Sequence, residues 1–157
     1  MMYMAPANRK RLPYGMMNFE DIRLENYYYV DKTAFIPMIE QAERFFFFFR
    51  PRRFGKSLTL NLLQHYYDVR AKDKFDTLFG DLYIGQHPTH DRNSYLVLKL
   101  NFSGIIGELN NYRQGLDAHC RTMFDYFCDI YADYLPQGIK EKLDEKDGAV
   151  EQLEYLY

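Results

Sequence analysis

The stretch FFFFFRPRRFGKSLTLNLLQHYYD, residues 45–68, decides how this chain is read. It opens on five consecutive phenylalanines, Phe45 to Phe49, which leave no polar face. A strand buried on both sides, as in a parallel sheet with helices above and below, has this pattern. A buried helix would also be apolar throughout, but this run is short and breaks at Arg50-Pro51. A helical pattern then runs from Gly55 to about Val69, with Leu58, Leu62, Leu63, Tyr66 and Tyr67 recurring near helical spacing. At the joint, Gly55-Lys56-Ser57 matches the end of the phosphate-binding loop G-x-x-x-x-G-K-[ST], the Walker A form.

Each part of that motif has a physical task. Gly55 lets the backbone turn and come close to phosphate. Amides at the start of a helix point at an anion, and the helix dipole favours its charge. Lys56 would reach the β- and γ-phosphates, and the Ser57 hydroxyl would bind Mg²⁺. The match has departures. The first glycine would fall at position 50, which is Arg50. Pro51 supplies no N–H, and Phe54 stands where a small residue is common. Arg50, Arg52, Arg53 and Lys56 also crowd four cations into one short loop. They would repel one another without a bound anion, unless carboxylates elsewhere in the fold pair with them.

Working outward, residues 95–102, YLVLKLNF, read as a second strand ending at Ser103-Gly104. Between Gly115 and Tyr134, Leu116, Cys120, Met123, Phe127, Ile130 and Tyr134 alternate steps of four and three, one face of a long helix. Residues 139–157 read as another helix. Towards the N-terminus, residues 19–24 suit a helical turn, and 27–30 have strand composition. Asp31 can cap a helix over roughly 32–43, where Pro37 implies a kink or a later start. Residues 1–12 read as a flexible tail before the turn residues Leu12-Pro13-Tyr14-Gly15. Strand, helix, strand, helix is the order of an α/β unit, so the expectation is a parallel sheet flanked by helices with right-handed crossovers.

Composition sets the limits. The chain has 157 residues, of which 47% are apolar, which suits one domain with a real core. Fifteen Tyr and 13 Phe make that core aromatic. Twenty Lys and Arg against 22 Asp and Glu exclude a wholly basic coat and disfavour direct nucleic-acid binding. Cys120 and Cys128 cannot build a disulfide scaffold; they suit a reducing compartment, and Cys120 lies on the apolar stripe as a core residue. His65, His87, His90 and His119 lack metal-ligand spacing. No signal-peptide core and no membrane span is visible, so the expectation is a cytoplasmic protein.

At this point the sequence resembles the bacterial AAA-ATPase-like domain family. The matching segments are LPYGMMNFEDIR, YYYVDKTAFI, the 45–68 stretch, LFGDLYIG and YLVLKLNFSGI, in that order. The R-P-R-R-F-G-K-S loop is characteristic of that family, so Arg50 is in keeping with it. The resemblance implies a P-loop NTPase fold over residues 13–157, ATP as ligand and Mg²⁺ as cofactor. It implies a nucleotide-binding set of Arg50, Pro51, Arg52, Arg53, Phe54, Gly55, Lys56, Ser57 and Leu58, with Ser57 as the metal ligand. Related NTPases contact adenine from the region of Tyr28, Tyr29 and Asp31, although plain packing also explains those residues. In longer members a restriction-endonuclease-like nuclease domain often follows.

A P-loop ATPase also needs an acid at the end of a second core strand. The strand at 95–100 closes on the neutral Asn101, Asp129 falls within the long helix, and Glu108 follows a short glycine-rich run. The expectation is therefore an N-terminal portion of the domain, with a sheet incomplete at its C-terminal side and an exposed edge. Such a chain would bind nucleotide weakly without turning it over, and no catalytic residue is assigned. Two other readings stay open: an Arg-rich loop that grips a nucleic acid or protein partner, and a degenerate NTPase fold without nucleotide affinity.

Overall fold

Local side-chain capping begins the fold. The Asn18 side chain accepts from the Glu20 N–H, starting helix α1, Phe19–Leu24. A 3₁₀ turn at Thr33–Phe35 leads into α2, Ile36–Glu40, whose first turn contains Pro37. Proline is tolerated there because that N–H has no partner inside the helix. This is the later start that Pro37 implies. Asp31 does not cap this helix as expected: its carboxylate accepts from the Thr33 N–H at 2.8 Å in a local turn, while α2 begins at Ile36 with no side-chain cap. Helix α3 is Lys56–Tyr67, followed by a 3₁₀ stretch Val69–Lys74 and the short helices α4, Phe75–Phe79, and α5, Tyr83–Gln86. After a 3₁₀ turn at Phe102–Gly104 come α6, Tyr112–Ile130, α7, Ile139–Asp144, and α8, Gly148–Leu156. The computed structural model describes residues 9–42, 45–51, 53–104 and 112–157. Residues 1–8 of the expected tail, Arg52 of the loop and Glu108 lie outside the described residues.

The expected α/β fold with its parallel sheet is not what forms. Among the described residues there is no strand, and the one β-bridge is a parallel contact between Asp68 and Tyr95. The five-phenylalanine run is extended, but its backbone pairs with no other described segment. Its rings divide between two faces. Phe46 and Phe48 stack on one side, at 6.2 Å, and Phe47 and Phe49 on the other, at 6.0 Å. Phe47 is 75% exposed and Phe49 84%, so the double burial inferred from the run is absent. The second expected strand, 95–100, is also diverted. Leu98 and Leu100 pack against Cys120, Phe124 and Ala149, so helices rather than a sheet take up their apolar surface.

The chain forms two compact units, Met1–Val97 and Leu98–Tyr157. The first is built on Phe19, Ile36, Leu62, Tyr66, Phe75, Leu78 and Phe79. Phe19 and Tyr66 ring centroids lie 5.1 and 5.7 Å from that of Phe79. The Phe19 N–H donates to Asn61 Oδ1 at 2.6 Å, fixing α1 on α3. Arg23 donates to the Leu78 carbonyl at 2.8 Å and pairs with Asp81. The Thr33 hydroxyl, fully buried, donates to Asp31 and accepts from the Ile84 N–H at 3.1 Å.

The second unit packs α6 against α7 and α8. Cys120 and Phe127 of the α6 stripe are buried, as expected, together with Phe124 and Cys128 beside it, but α6 ends at Ile130 and Tyr134, expected on the same face, lies in the turn beyond it and is exposed. Residues 139–157 form two helices instead of one, broken before Gly148, whose φ is +84°. Helix α8 has no cap from Asp147; the Ala149 N–H instead donates to Asp117 Oδ1 of α6 at 2.9 Å. Asp117 thus caps a helix 32 residues away in sequence. Asp117→Ala should cost about 1 kcal/mol, as other N-cap losses do. Chemical denaturation followed by circular dichroism should show a lower midpoint, and an unchanged midpoint would refute the capping role.

Candidate functional site

Helix α3 carries the site because of how it starts. Gly55 precedes it with φ +76° and ψ +19°, a left-handed conformation that suits glycine. No side chain caps α3. By helix geometry the amides of Lys56, Ser57 and Leu58 then have no acceptor within the helix. The first helical bond runs from the Thr59 N–H to the Gly55 carbonyl at 2.9 Å, and the Thr59 hydroxyl donates to the same oxygen at 3.0 Å. That doubled contact fixes the joint between loop and helix. Thr59 has no place in the motif, and its role was not readable from the sequence.

The loop before Gly55 is tightly wound. Arg53 also has a left-handed backbone, with φ +66°, a conformation costing a non-glycine residue about 1–2 kcal/mol. The Phe54 N–H closes a turn onto the Pro51 carbonyl at 3.4 Å. Residues 53–57 are exposed. Among the described residues no carboxylate lies within ion-pair distance of Arg50, Arg53 or Lys56. The Arg50 guanidinium instead sits over the Phe48 ring, 5.3 Å from its centroid. Elsewhere in this unit Arg11 faces Glu25, Arg23 faces Asp81, and Lys74 faces Glu20. Among the described residues, Arg50, Arg53 and Lys56 thus place positive charge without a carboxylate partner at the loop, where the α3 dipole adds to it.

A cavity of about 630 Å³ opens beside this loop. Gly55 and Arg50 line it, with Tyr28, Tyr29, Phe46 and Phe48. Tyr28 and Tyr29 thus share one cavity with Arg50, Phe54 and Gly55 of the loop. Asp31 does not line it. Its carboxylate accepts from the Thr33 N–H and hydroxyl at 2.8 and 2.7 Å and from the Tyr83 N–H at 2.7 Å. Burial pushes the Asp31 pKa up, but these hydrogen bonds outweigh it and hold the carboxyl below its usual value. The Tyr29 phenol is pushed up to about 12, first by burial and then by the Asp31 charge.

The remaining candidates are structural. Cys120 and Cys128 are buried free thiols, both pushed up in pKa chiefly by burial, which leaves them protonated and inert. Asp129 lies on α6, as expected, and pairs with Lys140. Among the described residues no group of three His, Cys, Asp or Glu could hold a metal ion. No described helix is long and apolar enough to cross a membrane.

The family described as predicted AAA-ATPase matches residues 13–155, nearly the whole chain and both of its compact units. The chain belongs to this AAA-ATPase-like family. The chain is also 40% identical over 103 residues to an uncharacterised protein in the vnfD 5′ region of Azotobacter chroococcum mcd 1. That match covers 62% of this chain and 18% of the relative, so this AAA-ATPase-like chain spans a minor part of its relative's length. No solved structure matches it.

Proposed function

We propose that this AAA-ATPase-like chain binds a nucleoside triphosphate, with ATP the expected ligand, at the loop of residues 50–58. The observation that carries this reading is the uncapped start of α3, where exposed cations without carboxylate partners meet unsatisfied amides. Lys56 contacts the terminal phosphates. Gly55 brings the backbone close to them, and the N–H groups of Ser57 and Leu58 donate to their oxygens. Arg50 and Arg53 flank the chain of phosphates, with Arg52 completing the set. The apolar cavity next to Gly55 receives the base. The joining of an anion site to an aromatic-lined cavity favours a nucleotide over a bare polyanion.

Mg²⁺ fits this arrangement through Ser57, whose exposed hydroxyl sits in the first turn of α3. Mg²⁺ typically binds through few protein groups plus substrate phosphates, so it would arrive with the nucleotide. When bound, it neutralises charge on the phosphates. The chain's own residues position the triphosphate and hold it in register with the helix.

Calorimetric titration of the chain with ATP and Mg²⁺ tests this. Saturable binding at one site per chain, weakening as salt is raised, is expected because the loop charges are exposed. Absence of binding up to millimolar nucleotide would reject the reading in favour of a fold that lacks nucleotide affinity.

A further inference from the structure

Helices α2 and α3 both wall the cavity. Ile36, Met38 and Ile39 line it from α2, and Leu58, Leu62 and Leu63 from α3. A helix of five residues does not hold its place unaided, so the position of α2 rests on what it touches. At its first residue, Ile36 is buried in the core with Leu62 and Tyr66. At its last, one carboxylate oxygen of Glu40 accepts from the Tyr67 hydroxyl at 3.1 Å and from the Thr89 hydroxyl at 2.8 Å.

These bonds belong to a chain whose directions are fixed. Ionised, the Glu40 carboxylate only accepts, so both hydroxyls donate to it. With the Thr89 proton placed there, the Tyr66 hydroxyl, 2.9 Å away, donates to the Thr89 hydroxyl oxygen. The Thr89 N–H in turn donates to the Tyr66 oxygen at 2.9 Å. Burial pushes the Tyr67 phenol up in pKa, and the charge and hydrogen bond of Glu40 add to this, so it stays protonated and donating. Tyr66 and Tyr67 are the last two residues of α3. Glu40 thus ties the end of α2 to the end of α3 and to the segment that holds Thr89. It follows Ile36 by four residues, about 6 Å along the helix, and Met38 and Ile39 lie between the two anchors.

We infer that Glu40 is a positioning residue for the base cavity: it stands outside the lining and holds the α2 wall at the spacing the base needs. This rests on the proposed nucleotide reading and adds what sets the shape of its base pocket.

Binding of ATP and of inorganic triphosphate, each with Mg²⁺, to the parent and variant chains tests it, with thermal unfolding showing which variants fold. Glu40→Ala removes the acceptor. With α2 in place about a tenth of the time, ATP affinity falls about tenfold. Inorganic triphosphate, which needs the loop and no base pocket, should bind unchanged. Glu40→Gln keeps an acceptor oxygen and should bind ATP nearly as the parent does. Tyr67→Phe keeps the ring and loses one donor, and should weaken ATP by roughly threefold with triphosphate again unchanged. That second variant decides the matter should Glu40→Ala not fold. Unchanged ATP affinity in the folded variants, an equal loss for triphosphate, or Glu40→Gln as weak as Glu40→Ala would overturn the inference. A parent chain that binds triphosphate as tightly as ATP would keep the loop reading and remove this one. A parent that binds neither would remove both.

Discussion

Lys56→Ala should weaken ATP binding by roughly 10–100-fold, the range expected for losing a hydrogen bond between charged groups. The residue is exposed, follows the left-handed Gly55, and has no carboxylate partner among the described residues. Its removal should therefore leave the fold almost untouched, within about 0.5 kcal/mol. That separation makes the variant informative: affinity falls and stability does not. Titration calorimetry beside thermal unfolding reads both. Unchanged affinity would mean that the phosphates do not sit at the start of α3.

Phe79→Ala should cost about 3–5 kcal/mol, a large part of what holds a small domain together. Phe79 is fully buried at the centre of the first unit, with the rings of Phe19, Tyr66 and Phe75 all within 6 Å of its own, at 5.1, 5.7 and 5.2 Å. Truncation leaves a cavity among rings that cannot all move in to fill it. Because α3 is anchored to this cluster through Leu62 and Tyr66, nucleotide binding should fall with the fold. Denaturant unfolding checks the figure, and a loss below about 1 kcal/mol would show that this cluster is not the core of the unit.

Some of this was legible in the sequence, and the reasons differ by element. The start of α3 was readable because Gly55-Lys56-Ser57 combines a left-handed residue with a helix opening. In the structure Gly55 makes the expected turn, with φ +76°, and the helix starts one residue later, at Lys56. The α6 face was readable because nineteen helical residues give a period several turns to repeat. Pro37 signalled the late start of α2. The sheet was misread at Phe45 to Phe49, because a run of identical apolar residues has no period. Composition cannot separate a strand buried on both faces from an extended segment whose alternate rings line a cavity and face solvent. The second misreading, at 95–100, arose because Leu98 and Leu100 find their partners on α6 and α8. The short helices α4 and α5 span five and four residues, too few for a pattern to emerge. Within the site, the loop residues were visible as a motif. The meeting of Tyr28 and Tyr29 with Gly55 depends on chain folding between them, and Asp31 was drawn away by Thr33 and Tyr83 through contacts only the tertiary structure supplies.

The central claim is that the triphosphate sits on the loop of residues 50–58 at the start of α3. Amide chemical shifts of the ¹⁵N-labelled chain, followed as ATP and Mg²⁺ are added, test it most directly. The largest and saturable shifts should fall on the amides of residues 53–58, above all Gly55, Lys56 and Ser57, because those N–H groups gain a charged acceptor. Smaller shifts should reach Tyr28 and Tyr29 at the cavity. Saturable shifts centred elsewhere, with the amides of 53–58 unmoved, would contradict the account.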